Sequence, residues 1–233
     1  EKNVTYEAPL RVKVTLRNTK TKKKDAQEIF LCDFPLMTDR GTFIINGIQR
    51  VVVSQIIRSA GVFFTSNFIR EKNRVFYGAK IIPNRGAWLE FETDANNVIW
   101  VKIDRKRKVA ATSLLQAFGM NREEIKEKLK DVETNPDINF TEATLNKDAS
   151  TNQDDGLIEV YKRIRPGDMA TADNAKSLIY AMFFNFDRYD FAKVGRYKMN
   201  QRFSTDYELT EEHRVLKVDD IVAVLREIIS LNI

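Results

Sequence analysis

The stretch that decides the fold is VFYGAKIIPNRGAWLEFETDANNVIWVKI, residues 75–103. It contains three apolar-rich runs, Val75–Ile82, Ala87–Thr93 and Val98–Ile103, separated by Pro83–Gly86 and Asp94–Asn97. Runs of this length, rich in β-branched and aromatic residues and bounded by Gly, Pro and Asn, are typical of strands. Because both connections are short, neighbouring strands are expected to pair antiparallel in a meander.

Trp88 has an unusual place in this meander. In Ala87–Thr93, Leu89 and Phe91 share one face, so Trp88 shares the other face with Glu90 and Glu92. A large aromatic on a charged strand face usually has something to contact. Two interpretations stay open: another segment of the chain covers the ring, or the ring contacts a ligand.

The sequence before the meander also predicts β structure. Leu10–Leu16 alternates apolar and polar residues, which predicts a half-buried strand. The lysine-rich segment Arg17–Asp25 then predicts a polar hairpin tip, with Ile29–Cys32 as the partner strand. Gly41–Gly47 ends in Asn-Gly, a strong signal for a two-residue hairpin turn, and Val51–Val53 follows within a few residues.

The C-terminal half predicts helices. Asn121 and Glu124 have the spacing of a capping box, and Thr171 is a predicted N-cap. Apolar residues recur at helical spacing through the last segment, 218–229. Residues 131–155 are polar and acidic and predict a long surface connection. The predicted fold class is therefore α+β, with antiparallel meanders and hairpins in the N-terminal half and helices in the C-terminal half.

Composition excludes several classes of protein. The chain has 233 residues, of which 43% are hydrophobic and 30% charged, as in ordinary globular proteins and unlike collagen-like or disordered chains. Cys32 and His213 are single, which excludes disulfide frameworks and zinc sites built from several Cys or His residues. No apolar run approaches the roughly 20 residues of a membrane span. The chain opens without Met or a signal-peptide pattern, so we expect a piece of a longer intracellular protein.

The positive charge is concentrated in one half. The net charge is +5, but residues 1–108 hold 21 Lys and Arg against 11 Asp and Glu. With Trp88, this half has the composition of a surface that binds single-stranded or splayed nucleic acid; a solvated charged face is the alternative. The basic residues concerned are the run Arg105–Lys108 and, in nearby turns, Arg50, Arg58, Arg70, Lys72, Arg74 and Arg85.

No enzymatic motif is present in the sequence. It lacks a phosphate-binding GxxxxGK[ST] loop, a GxGxxG fingerprint and a GxSxG elbow. Three carboxylate pairs, Asp154/Asp155, Asp187/Asp190 and Asp219/Asp220, fit either magnesium or helix capping, and capping is the commoner role. We therefore predict no catalytic residue, no metal ligand and no cofactor within this chain.

Successive motifs across the whole chain resemble the β subunit of bacterial DNA-directed RNA polymerase. They occur in the order typical of that family: Thr5–Leu10, Pro35–Thr38, Gly41–Gly47, Arg50–Gln55, Arg58–Phe64, Ile81–Leu89, Ile103–Lys108, Arg165–Asp168, Arg188–Asp190 and Val194–Lys198.

The resemblance implies a non-catalytic part of a large nucleotidyltransferase. Residues 1–47 would belong to the protrusion domain and residues 48–233 to the lobe, which together form one jaw of the DNA cleft. The Mg²⁺ ions of this family lie in the partner β′ subunit. The implied partners are DNA, both the non-template strand and the downstream duplex, and the β′, α and σ subunits. The implied location is the cytoplasm, in association with the nucleoid.

The resemblance also assigns roles to residues. Trp88 matches the tryptophan that stacks on an unpaired non-template base, and Arg58 matches an arginine of the adjacent guanine pocket. The basic residues that would lie near downstream or non-template DNA are Arg105, Lys106, Arg107 and Lys108. The residues that match the N-terminal part of the rifamycin pocket are Arg50, Val53 and Gln55.

The sequence departs from the family at Lys24-Asp25-Ala26. Many members have Ile-Lys-Glu there, as a contact for the transcription-repair coupling factor, and here both the apolar anchor and the charge pattern differ. From residues alone, two other functions stay open. One is a stand-alone nucleic-acid-binding module, and the other is a protein-docking module that offers its hairpins as strand partners.

Overall fold

A computed structural model describes residues 3–70, 73–136 and 138–232 of the chain. Lys72, one of the predicted basic surface residues, lies outside these ranges. The chain forms two compact units, Glu1–Ile57 and Arg58–Ile233. This division falls after the predicted boundary at residue 47, and the assignment of the units to protrusion and lobe stays a prediction. Within the described ranges, no helix is both long and apolar enough to cross a membrane.

The first unit is built from two antiparallel hairpins. Its strands are β1 (Glu7–Arg17), β2 (Lys24–Pro35), β3 (Phe43–Ile45) and β4 (Ile48–Arg50). β1 pairs with β2, with an irregularity in register after Leu10, and β3 pairs with β4. Asn46 and Gly47 have φ values of 51° and 77°, as the turn between β3 and β4 requires, so the predicted Asn-Gly hairpin is confirmed. Val51–Val53 lie beyond the end of β4.

The prediction that the first strand is half-buried is wrong for this chain. The apolar side chains of Leu10, Val12, Val14 and Leu16 are 40 to 71% exposed. Two paired strands form one thin layer, and burial requires a second layer to cover one face. Among the described residues of this unit, no such layer lies over β1.

The second unit contains a five-stranded antiparallel sheet in the order β5-β6-β7-β8-β9. Its strands are β5 (Gly61–Ile69), β6 (Arg74–Ile82), β7 (Leu89–Thr93), β8 (Ile99–Ile103) and β9 (Val109–Ala110). The predicted meander is confirmed as β6, β7 and β8. Ile81, Leu89 and Ile103 share one face and are buried in the core. On the other face, Lys80 pairs with Glu90 at 2.7 Å and Lys102 with Glu92 at 2.6 Å.

Seven α-helices lie in the described part of this unit, together with short 3₁₀ helices at Lys130–Val132 and Glu211–His213. The α-helices are α1 (Ala111–Ala117), α2 (Arg122–Leu129), α3 (Phe140–Lys147), α4 (Gln153–Ile164), α5 (Ala172–Phe183), α6 (Ala192–Phe203) and α7 (Val218–Asn232). The α+β class is therefore confirmed. The capping box at Asn121 and the N-cap at Thr171 are both present.

α1, which was not predicted, is buried along its whole length. Gly156 lets α4 approach α1 closely, since a Cβ at position 156 would lie 2.8 Å from the Ala117 nitrogen.

The prediction of a polar surface connection over residues 131–155 needs correction. This stretch contains α3, whose Phe140 and Leu145 are buried. Asp148 is also buried, and its carboxylate accepts hydrogen bonds from Thr112 and Ser113 of α1 at 2.5 and 2.6 Å. Polar residues can lie in a core when hydrogen bonds satisfy them, and composition does not reveal those partners.

The last helix, α7, lies against the sheet strand β6. Asn232 at its end accepts a hydrogen bond from the Tyr77 backbone at 3.3 Å, and its amide lies 3.4 Å from the Thr93 hydroxyl. These contacts join the last turn of the helix to strands about 140 to 155 residues earlier in the chain. The core of the second unit is therefore closed by its C-terminal helix.

Candidate nucleic-acid interface

Trp88 lies one residue before β7 and is half-buried. Two hydrogen bonds join its backbone to Asp104: the Trp88 N–H donates to the Asp104 carboxylate at 2.8 Å, and the Asp104 N–H donates to the Trp88 carbonyl at 2.9 Å. The backbone of the tryptophan is therefore fixed to the end of β8.

The basic run Arg105–Lys108 lies in the hairpin loop between β8 and β9. β8 ends at Ile103, and the chain turns back into β9 after Lys108. Asp104 and Arg105 both have left-handed backbone conformations, with φ values of 48° and 59°, and the Lys106 N–H donates to the Ile103 carbonyl at 3.0 Å. A turn with two left-handed residues fits the twist of paired strands, and Asp tolerates this conformation better than most residues.

Arg105 brings positive charge to the tryptophan. Its guanidinium carbon lies 5.5 Å from the centre of the Trp88 ring, within the range of cation–π attraction. Trp88, Asp104 and Arg105 line a small open depression on the surface. The ring is thus partly covered by a residue of the predicted basic run. An aromatic face beside a guanidinium is suited to stacking a base and holding its phosphate.

The other three residues of the run differ in their contacts. Lys106 Nζ donates to the carbonyl of Ile164, at the end of α4, at 2.6 Å. Lys108 Nζ lies 4.5 Å from the centre of the Trp100 ring. Arg107 is exposed and has no hydrogen bond or ion pair to another described residue. Arg105 and Arg107 are therefore better placed than the two lysines to meet an external anion.

Trp100, whose ring Lys108 contacts, also binds a carboxylate. The Trp100 indole N–H donates to Asp94 at 2.8 Å. Partial burial acts to raise the pKa of Asp94, but the bonds from Trp100 and from the Val98 and Asn96 backbone, with the charge of Lys108, hold that pKa below its ordinary value. Lys108 thus has a structural role on the sheet surface.

Backbone hydrogen bonds to Asp190 hold the loop before Trp88 in place. The backbone N–H groups of Asn84 and Arg85 donate to the Asp190 carbonyl at 2.9 and 3.1 Å, and the Asp190 N–H donates to the Arg85 carbonyl at 2.8 Å. At Gly86 the φ is 129°, and a Cβ would lie 2.6 Å from the ring of Tyr189. Glycine is therefore required where this loop passes over the buried tyrosine.

Two of the candidate carboxylates pair with arginines, of which Arg196 is buried and Arg214 is half-buried. Asp190 pairs with Arg214 at 2.7 Å, and Asp220 pairs with Arg196 at the same distance. The pair Asp154/Asp155 lies in the first turn of α4, where acidic residues favour the helix. Among the residues that the structure describes, no cluster of three His, Cys, Asp or Glu side chains could hold a metal ion. The absence of a metal ligand from this chain stays a prediction.

Arg58 lies elsewhere on the second unit. Its guanidinium stacks over Phe63 at 5.2 Å, and its neighbour Ser59 accepts a hydrogen bond from Lys198 at 2.7 Å. Arg58 is not among the residues that line the depression at Trp88. Its predicted part in a guanine pocket stays a prediction.

The predicted rifamycin-pocket residues belong to the first unit. Arg50 ends β4 and borders an apolar hollow with Phe34 and Phe43. Val53 is 73% exposed, and Gln55 is exposed outside any strand. The predicted contact for the coupling factor, Lys24–Ala26, is the exposed start of β2. Both assignments stay predictions.

One basic residue near the run was not predicted from the sequence. Arg163, in the last turn of α4, borders a groove together with Arg105, Lys106, Arg107 and Pro166. The sequence signal was the cluster of Lys162, Arg163 and Arg165 before Pro166. Its position opposite the basic loop depends on how α4 packs, which no local pattern reveals.

Comparison with known proteins identifies the class to which this fold belongs. Residues 46–233 match the family model "RNA polymerase Rpb2, domain 2", and the chain belongs to that family. Its relatives are bacterial β subunits. The chain is 43% identical over 232 residues to the DNA-directed RNA polymerase subunit beta of Streptomyces coelicolor, which covers the whole chain and 19% of that protein.

Other relatives have the same description. The chain is 48% identical over 208 residues to the subunit of Staphylococcus carnosus, which covers 89% of the chain and 17% of that protein. It is 50% identical over 205 residues to that of Alkaliphilus oremlandii, which covers 88% of the chain and 16% of that protein. The resemblance to the bacterial β subunit is therefore confirmed. The chain spans less than a fifth of the length of these relatives.

Proposed function

We propose that this chain is a nucleic-acid-contacting part of a β subunit of DNA-directed RNA polymerase and forms part of one jaw of the DNA cleft. The observation that carries the proposal is the joining of Trp88, Asp104 and Arg105 into one surface depression. An aromatic ring, a guanidinium and a carboxylate acceptor meet there at the surface of a domain from a nucleic-acid polymerase family.

In this function Trp88 stacks on an unpaired base of the non-template strand, and Arg105 holds the adjacent phosphate. The ring is half-buried and its backbone is fixed by Asp104, so little flexibility is lost when a base binds. Arg105 already stacks on the ring, and it can donate to a phosphate while it keeps that contact. Arg107 and the neighbouring groove extend the positive surface toward downstream DNA.

The chemistry of nucleotide addition belongs to the larger enzyme. The metal-dependent transfer takes place in the partner β′ subunit, and α and σ complete the assembly in the cytoplasm. This chain positions nucleic acid and supplies no catalytic group. The ion pairs of Asp190 and Asp220 support that division of roles, because both carboxylates are occupied by arginines. A stand-alone module is less well supported, since the related proteins are more than five times longer.

The test is the substitution Trp88→Ala in polymerase assembled from the complete β subunit. Loss of one stacked base should weaken binding to a DNA fork with an unpaired non-template strand by about 1–3 kcal/mol. Trp88→Tyr should keep most of the affinity, because it preserves a ring. Trp100→Ala is a matched control, since Trp100 also stacks with a cation but lies outside the depression. Equal affinity of the Trp88→Ala and unaltered enzymes for the fork would contradict the proposal.

A further inference from the structure

A groove lies between the β8–β9 loop and the end of α4. The residues that line it are Arg105, Lys106, Arg107, Arg163 and Pro166, so four of its five side chains are cationic. Three of these cations come from the loop and the fourth from a helix that starts about fifty residues later. The groove is therefore a product of the fold and is not visible as a motif in the sequence.

The two walls of the groove are attached to each other. Lys106 Nζ donates to the Ile164 carbonyl at 2.6 Å, and this bond ties the loop to the last turn of α4. The carbonyl end of a helix carries partial negative charge, which would repel an anion. Lys106 offsets that charge and holds the walls in place, so the arginines stay available for a ligand.

The carboxylates near the arginines lie outside the groove itself. The lining contains no carboxylate. Glu159, one turn before Arg163, forms an ion pair with it at 3.7 Å, which is longer than a hydrogen bond and leaves the guanidinium N–H groups able to donate to a ligand. Asp104 is bonded to the Trp88 backbone, and the exposed Asp168 is 3.8 Å from Arg165. An anion in the groove would relieve the repulsion among the cations.

The groove adjoins the depression at Trp88, because Arg105 lines both. We propose that the groove binds a backbone phosphate of the nucleic-acid strand whose base stacks on Trp88, and that Arg163 is a ligand of this phosphate. Arg105 contributes from the side shared with Trp88, and Arg107 and Arg163 contribute from opposite walls. This inference rests on the proposed function, since it assumes a strand at Trp88.

The experiment replaces Arg163 by Ala in polymerase assembled from the complete β subunit. Binding to a fork with a single-stranded non-template segment is measured over a range of salt concentrations. Arg163→Ala should weaken binding about two- to fivefold, as expected for an exposed ionic contact. It should also reduce the slope of log affinity against log salt by about 0.7, the value for one single-strand phosphate contact.

Two variants serve as controls. Lys162→Ala removes the preceding charge from the same helical turn, but Lys162 does not line the groove, so affinity and salt slope should stay unchanged. Arg163→Lys should recover most of the slope, because it restores the charge. Thermal unfolding of each variant shows whether the fold is intact; Arg163 is only half-buried, so its loss should not disturb the core.

A second set of DNA forks identifies the ligand. Neutral methylphosphonate is placed at single positions beside the base that stacks on Trp88. At one position it should weaken binding to the unaltered enzyme and leave the Arg163→Ala enzyme unaffected. Inorganic phosphate is tested as a competitor. Competition at millimolar concentration together with indifference to methylphosphonate would mean that the groove takes free phosphate, which would overturn the proposal.

The outcomes separate this inference from the proposed function. If Trp88→Ala weakens fork binding and Arg163→Ala behaves like Lys162→Ala, the groove proposal fails and the proposed function stands. If neither substitution alters binding, the proposed function fails as well. If both weaken binding and the methylphosphonate effect disappears only in the Arg163→Ala enzyme, both are supported.

Discussion

The buried ion pair between Arg196 and Asp220 is expected to be the most sensitive point of the second unit. Arg196 is fully buried and Asp220 is 3% exposed. The guanidinium donates to both carboxylate oxygens, at 2.7 and 2.9 Å, and to the Val215 carbonyl at 2.6 Å. The substitution Asp220→Ala would leave a buried cation with one hydrogen-bond acceptor.

The expected drop in stability follows from the bonds that the Asp220 carboxylate makes to Arg196. Two charge-assisted hydrogen bonds disappear, each worth about 1.5–3 kcal/mol. The stacking of Arg196 on Phe191 and Tyr207, at 5.1 and 5.4 Å, remains and compensates in part. Removal of one partner of a buried pair typically costs about 3–5 kcal/mol, which we expect here for the free energy of unfolding.

Denaturation in urea, followed by tryptophan fluorescence, measures this drop. Both tryptophans of the chain, Trp88 and Trp100, lie in the second unit, so the signal reports on that unit alone. Asp219→Ala is the matched control: Asp219 is the neighbouring residue, and its ion pair with Lys128 is exposed. Such a pair contributes about 0–1 kcal/mol. If Asp220→Ala were no more destabilising than Asp219→Ala, the Arg196–Asp220 pair would not make the predicted contribution to the free energy of unfolding.

Two further predictions concern the sheet. Because the folded pKa of Asp94 lies below its ordinary value of 3.8, its ionisation stabilises the fold above that value, and the stabilisation is lost as the pH falls through the folded pKa. Asp94→Asn should therefore make stability less dependent on pH below about pH 5, measured by urea denaturation at each pH; an unchanged pH profile would contradict this. Asp104→Ala should lower stability by about 1–2 kcal/mol, because Ala disfavours the left-handed backbone and cannot accept the Trp88 N–H bond. Asp104→Gly should recover the part due to the backbone but not the part due to the bond to Trp88; equal thermal stability of the Ala and Gly variants would refute the backbone explanation.

Features that depend on short spacing could be predicted from the sequence. The strands around Pro83–Gly86, the Asn46-Gly47 turn and the capping box at Asn121 all follow from residues within a few positions of one another. Turn chemistry and capping are local, so a local pattern determines them. The last helix, with its regular apolar spacing, was predicted for the same reason.

Features that depend on packing could not be predicted. α1 carries the small and polar sequence ATSLLQA, yet it is buried because α3 and α4 pack around it. Aspartate is usually found at the surface, and only the hydrogen bonds of Asp148 to partners on α1 explain its burial. In the site, Trp88 and the basic run were both identified, but the bond from Asp104 that joins them and the approach of Arg163 arise from tertiary structure.

The position of α7 has a consequence for synthesis of the protein. The sheet strands up to Ile103 leave the ribosome first, while the helix that covers β6 begins only at Val218, 115 residues later. At about 5–20 residues per second, the apolar face of β6 waits roughly 6–23 s for that cover. During this interval the nascent chain presents an open sheet surface of the kind that chaperones bind. A pause in translation between the sheet and α7 would lengthen that exposure, whereas the same pause after Asn232 would not.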